Sequence, residues 1–249
     1  MTNFSTQKTF ALFQTPINKK LTADLENAGA KIFKFPPLVT ERVDLADNMS
    51  EKLKNLTQFD WIIFPDVLAV DYFLRNLEEN SVDFFELDHL RVCAFGEAVS
   101  DKLRFSQVHT DVITNSIETE AISNALAEYI GDDDLNELNF LFVTENSTDY
   151  RLSNKLKKAH AAVFEMPVYQ INSSENKEIT KLKVLLEGGA VDEFIFSSPE
   201  DVFALHHYLS GEIEELKREV KTSAVGEITF LTLKEYGFKP HYFHLIKEN

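Results

Sequence analysis

The sequence predicts an α/β protein of two lobes, each a parallel sheet flanked by helices. Two observations predict it: short apolar runs alternate with helix-length stretches along the chain, and the pattern occurs twice. Runs such as "WIIF" (61–64) and "FIF" (194–196) are apolar at successive positions, as expected of strands buried on both faces. Candidate strands fall at 9–14, 31–35, 60–64, 91–95, 110–113, 138–143, 162–166, 192–196, 222–225 and 241–244. Helix-length stretches lie between most of them, which is the signature of parallel sheets covered by crossover helices.

The repeat rests on three segments in the same order. "VCAFGEAVSDKL" (92–103) matches "TSAVGEITFLTL" (222–233), with Gly96 and Gly226 130 positions apart. "DWIIFPDVLAVDYFLRNL" (60–77) matches "DEFIFSSPEDVFALHHYL" (192–209) at an offset of 132. "FALFQTPINKKLTADLENAGAKIFKFPPL" (10–38) matches "FLFVTENSTDYRLSNKLKKAHAAVFEMPVY" (140–169), with Pro36 falling 131 before Pro167. A nearly constant offset indicates duplication. The amphipathic stretch "SIETEAISNALAEYI" (116–130) has no counterpart after Tyr242, so one sheet face of the second copy is expected to be less covered.

Bulk properties narrow the function. The chain has 249 residues with 44% hydrophobic content, enough for two cored lobes. Its net charge of −16 and lack of a basic stripe argue against nucleic acid and anionic membrane surfaces as partners. The single Cys93 leaves no disulfide framework and no cysteine metal cluster. The N-terminus lacks the basic start and apolar stretch of a signal peptide, and no window reaches the length of a membrane span. A soluble, cytoplasmic protein is expected. His241-x-x-His244 and His206-His207 lack a third ligand at a recognisable spacing, so no metal is expected. Dinucleotide and P-loop glycine motifs are absent. "WIIFPD" could end a strand on a phosphoacceptor Asp66, but no acidic pair follows the first strand.

In open parallel sheets, ligands bind at the carboxyl ends of the strands. The repeated motifs stand there: Phe64-Pro65-Asp66, Gly96-Glu97, Phe196-Ser197-Ser198-Pro199 and Gly226-Glu227-Ile228-Thr229. If the lobes face each other, these turns would line both walls of one cleft.

The chain resembles the uroporphyrinogen-III synthase family of tetrapyrrole biosynthesis. "FIFSSPEDV" (194–202) is similar to that family's strand, Ser-Ser turn and helix start, and "AVGEITFLTLKEYGF" (224–238) to its Gly-x-x-Thr turn and following helix. "LTADLENAGAKIFKFPPL" (21–38) and "KLKKAHAAVFEMPVYQI" (155–171) look like its two crossings between lobes, with Tyr169 on a recurrent tyrosine. The resemblance implies flavodoxin-like lobes joined by extended linkers near 36–40 and 167–171. One lobe is then discontinuous, 1–36 plus 171–249, and the other is 39–167. The repeat alone is equally compatible with two consecutive domains.

The resemblance also implies a reaction, with no cofactor and no metal. Hydroxymethylbilane, a linear tetrapyrrole octacarboxylate, is cyclised with loss of water and inversion of its last pyrrole ring. The pyrroles supply the reactivity, so the protein's task is mainly orientation. Tyr169 is the candidate catalytic residue, a phenol that stays protonated at neutral pH and can assist the departing hydroxyl. Thr15, Asp66, Gly96, Asn146, Ser197, Ser198, Gly226 and Thr229 are the candidate substrate-binding positions. Helix N-termini at such turns hold carboxylates readily, although Ser and Thr there also serve as ordinary caps.

Three turns depart from the family pattern. Gln14-Thr15 replaces Thr-Arg, Pro65-Asp66 replaces a hydroxyl turn, and Glu145-Asn146 replaces Arg-Gly. Asp66 and Glu145 would meet a polyacid with like charge, costing about 1 kcal/mol per close pair in water and about 4 kcal/mol at a protein surface. The alternative reading is a non-catalytic two-lobed ligand-binding protein. In either case a monomer acting on a small molecule is expected.

Overall fold

The structure is a computed structural model that describes residues 8–131, 135–146, 150–172, 177–209 and 220–244. The chain forms two compact units, one of 1–38 plus 173–249 and the other of 39–172.

The discontinuous unit holds β1 (Thr9–Phe13), α1 (Asn18–Asn27), β2 (Lys31–Phe35), α7 (Lys177–Glu187), β9 (Glu193–Phe196), α8 (Pro199–Tyr208), β10 (Lys221–Ala224), α9 (Glu227–Glu235) and β11 (His241–Tyr242). Its strands lie in the order β11-β10-β9-β1-β2, all parallel. Read from β2, this is the doubly wound order 2-1-3-4-5 of flavodoxin-like sheets.

The continuous unit holds β3 (Thr40–Arg42), α2 (Asp47–Lys54), β4 (Trp61–Phe64), α3 (Val67–Glu79), β5 (Arg91–Ala94), α4 (Glu97–Phe105), β6 (Val112–Ile113), α5 (Thr119–Ile130), β7 (Asn139–Glu145), α6 (Arg151–Lys158) and β8 (Ala162–Ile171). Its sheet runs β3-β8-β7-β4-β5-β6. Taking β7 and β8 as first and second, the parallel part again reads 2-1-3-4-5. Here the chain enters the order at its third strand.

The ten expected strands are present, and β3 is an addition that the sequence did not announce. Sequence also ended β8 too early. Residues 36–40 and 167–171 were expected only as extended linkers. Thr40, Glu41 and Arg42 in fact pair antiparallel with Ile171, Gln170 and Tyr169. A three-residue strand carries no periodicity of its own, so only its partner reveals it.

The two cores explain the missing helix. On one face of the continuous unit, Trp61, Ile63 and Cys93 pack with Ile122 and Leu126 of α5. Trp61 also meets Tyr129 of α5 edge-on, with ring centroids 5.5 Å apart. Burial pushes the Cys93 thiol up to about 12, as for an inert core group.

In the discontinuous unit the matching positions are Glu193, Ile195 and Ser223, in the same strand register. Glu193 accepts hydrogen bonds from Ser223 Oγ and from Lys221 Nζ, the latter at 2.9 Å. Phe243 packs edge-on to Phe10 over the neighbouring apolar residues. Among the described residues this face is therefore not bare: Leu21 and Leu25 of α1 pack over Phe10, Leu12 and Ile195. It carries a paired carboxylate, and Glu193 is only 4% exposed.

A buried carboxylate stripped of its cation is costly. Lys221→Met should lower stability by about 1–3 kcal/mol in urea unfolding. Adding Glu193→Leu should recover most of that loss, because an apolar pair restores what unit two has at Trp61.

Candidate functional site

In each unit the predicted turns lie side by side at the carboxyl edge of the sheet. Phe95 N donates to Phe64 O at 3.0 Å, which sets the Gly96 turn beside the Asp66 turn. Val225 N donates to Phe196 O at 2.8 Å, which does the same for Gly226 and Ser197.

The continuous unit is organised around Asp66. β4 ends in Phe64-Pro65, and Asp66 caps α3 by accepting from Ala69 N at 2.7 Å through Oδ1. Its second oxygen, Oδ2, accepts from the Tyr169 hydroxyl at 2.9 Å. Tyr169 is 0% exposed and Asp66 7%. The Tyr169 ring stacks on Tyr72 of α3 at 5.4 Å and 15°. Tyr72 Oη and Thr40 Oγ1 lie 3.0 Å apart in a hydrogen bond. The Tyr169 carbonyl accepts from Asn146 N at 2.8 Å, where an irregularity after Thr144 brings Glu145 opposite Tyr169.

Both Asp66 oxygens thus accept hydrogen bonds from within the unit. Burial raises its pKa from the usual 3.8 to about 6, against the lowering effect of the Ala69 and Tyr169 hydrogen bonds, while Glu145 adds repulsion.

The discontinuous unit has a parallel arrangement from different residues. Ser198 caps α8, its Oγ accepting from Asp201 N at 3.3 Å. Asp201 reaches back to accept from Ser197 N at 3.0 Å and from Asn18 Nδ2 at 3.3 Å. This is a capping box closed one residue early. Asn18 also donates to Phe13 O at 2.8 Å, which ties the Thr15 turn to the Ser197 turn. Burial lifts Asp201 to about 6, although the Ser197 and Asn18 hydrogen bonds oppose the rise.

The Gly turns differ. Gly96 (φ 88°) and Gly226 (φ 93°) precede α4 and α9, and neither helix has a side-chain cap. Only glycine adopts that backbone cheaply. First-turn N–H groups there are not taken by a capping side chain, whereas α3 and α8 are closed by Asp66 and by Ser198 with Asp201. Thr229 is buried in the first turn of α9, Thr15 is half-buried and Asn146 is exposed.

Sequence reasoning missed Asn18, Tyr72 and Asp201. The Ser198-x-x-Asp201 spacing was a legible capping signal. Nothing local marks Asn18 or Tyr72, whose partners lie far along the chain.

The fold and its carboxyl-edge turns define a class: two-unit, doubly wound α/β proteins. Comparisons narrow that class. The family model described as uroporphyrinogen-III synthase HemD matches residues 19–244. A Methanocaldococcus jannaschii protein provisionally named uroporphyrinogen-III synthase is 26% identical over 210 residues, 83% of this chain and 82% of the relative. The structure of Thermus thermophilus uroporphyrinogen III synthase aligns with a TM-score of 0.64 at 19% identity, over 94% of this chain and 92% of that one. A second crystal form of the Thermus protein gives 0.65 at 20% identity, over 94% and 91%. The chain belongs to the uroporphyrinogen-III synthase family, enzymes of the lyase class in heme biosynthesis.

The inward carboxyls make a test of stability. With its folded pKa above the unfolded value, Asp201 contributes stability that is complete below about 3.8 and lost as pH rises through about 6. Urea titrations should therefore show Asp201→Asn gaining on wild type between those values, by at most about 3 kcal/mol.

Proposed function

We propose that this chain cyclises hydroxymethylbilane to uroporphyrinogen III, with loss of water and inversion of the last pyrrole. The observation that carries the reading is the pair of uncapped helix starts at Gly96 and Gly226, on a chain matched to the family from 19 to 244. Substrate carboxylates would be held by first-turn N–H groups at those starts. Thr15 and Ser197 would line the carboxyl edge of the discontinuous unit and Asn146 that of the continuous unit, and buried Ser198 and Thr229 would support the turns. Tyr169 and Asp66 would assist the departure of water.

The donors on both Asp66 oxygens, with burial that favours its protonated form, reduce the like-charge repulsion that its sequence position suggested. A non-catalytic binding role is not favoured by the family match. Among the described residues no helix is long and apolar enough to cross a membrane, which supports action in the cytoplasm. The ion pair of Glu193 and Lys221 supports a monomer, since among the described residues it puts charge where the repeat lacks a helix.

A coupled assay that supplies hydroxymethylbilane and separates the oxidised porphyrin isomers tests the reading. The inverted isomer, above the spontaneous rate, is the expected product; only the uninverted isomer at that rate would reject it. Tyr169→Phe should cost about 10²-fold or less in turnover, the low end of acid assistance, because an electron-rich pyrrole expels hydroxide readily. With a net charge of −16 meeting a polyacid, added salt should speed substrate capture in stopped-flow measurements by screening repulsion.

A further inference from the structure

We infer that Asp66 is the group that protonates the departing hydroxyl, and that Tyr169 is its positioning residue. The inference rests on the cyclisation reading above and reassigns the acid within it. Tyr169 is 0% exposed, its ring is held against Tyr72, and its hydroxyl hydrogen is directed at Asp66 Oδ2. Asp66 stands at the carboxyl edge of β4 and retains some exposure. Of the two, only Asp66 has any exposure through which a ligand could reach it, 7% against 0%.

The comparison between units sharpens this. Capping a helix needs one oxygen, and Ser198, at the matching place, supplies one. Asp66 supplies the cap with Oδ1 and keeps Oδ2 for Tyr169. Each carboxyl oxygen has two lone-pair directions. A proton can therefore sit on Oδ2 while Tyr169 still donates to it. When that proton leaves, the Tyr169 hydrogen bond becomes charge-assisted and strengthens. The pair stabilises the carboxylate as it forms, which is where a general acid needs help.

The step balances as follows. The Asp66 proton passes to the hydroxymethyl oxygen, the C–O bond breaks, and water leaves with that electron pair. The pyrrole π system supplies electrons to the exposed carbon, giving an electrophile. After ring closure, the pyrrole regains aromaticity by releasing a proton, which restores Asp66.

Burial lifts Asp66 to about 6, so its protonated form is accessible near neutrality. The neighbouring charges do not oppose this. Glu145 on β7 favours protonation. Arg42 on β3 lies opposite Tyr169 but is paired with Glu79 and Asp44. On α3, Arg75 lies over the Tyr72 ring and Asp71 is paired with Lys102 of α4.

The test compares pH profiles of turnover for wild type, Asp66→Asn, Asp66→Ser and Tyr169→Phe. Asn and Ser both keep the α3 cap, so folding is preserved in at least one of them. Expected results are an activity that falls in wild type as pH rises through about 6, and a loss of ~10²-fold or more in both Asp66 variants. Tyr169→Phe should keep more activity than either, with its alkaline fall moved to higher pH because the carboxylate has lost a donor. Asp66 variants within a few-fold of wild type, or Tyr169→Phe as the most damaged variant, would overturn the assignment.

A second arm needs no substrate: the Asp66 carboxyl carbon resonance, identified by its absence in Asp66→Asn. It should titrate near 6 and shift upward in Tyr169→Phe. A resonance that titrates in the ordinary aspartate range, or is unmoved by Tyr169→Phe, would sink the inference even if wild type proved inert. An inert wild type with the expected titration would instead reject the cyclisation reading and retain the coupled pair.

Discussion

One constraint orders the rest of this molecule: the continuous unit is inserted into the other, so its two ends must lie together. The antiparallel ladder between β3 and the end of β8 meets that constraint inside a single sheet. Asn172 N closes it by donating to Val39 O at 2.9 Å. Because β8 must run on to reach β3, it carries Tyr169, fully buried, alongside α3. The stack on Tyr72 and the bond to Asp66 follow from that extension. The candidate site is thus a by-product of how the chain leaves and returns.

The duplication set one strand order and then let each copy solve its own packing. Where α5 is present, Trp61 and Cys93 are apolar. Where no counterpart helix is found among the described residues, Glu193 and Ser223 occupy the same register and satisfy each other, with Lys221. The same divergence appears at the turns, where Asp66 in one copy corresponds to Ser198 in the other. Both cap a helix, but only the carboxyl has an oxygen left over.

Electrostatics on this acidic chain are managed by orientation. Aspartates at the turns would repel a polyacid if they faced it. Here Asp201 is held by Ser197 N and Asn18, and Asp66 by Ala69 N and Tyr169, so that each charge is met by donors of its own unit. Of the four helices entered from the Asp66, Gly96, Ser197-Ser198 and Gly226 turns, the two without a side-chain cap, α4 and α9, are those entered through glycine.

The sequence by itself determined the parallel strands, the duplication, the edge on which the turns fall and the glycine turns. These are local or periodic facts: apolar runs need two covered faces, and a fixed offset needs no coordinates. Even the fit of Ser198 with Asp201 was written in a three-residue spacing. Only the tertiary structure decided that β8 pairs with β3, that Glu193 takes the place of a helix-covered tryptophan, and that Asp66 meets Tyr169, which stands 103 residues away. Such pairings depend on which strands become neighbours. A carboxylate's direction, inward as a cap or outward as a charge, is set by the donors that surround it after folding.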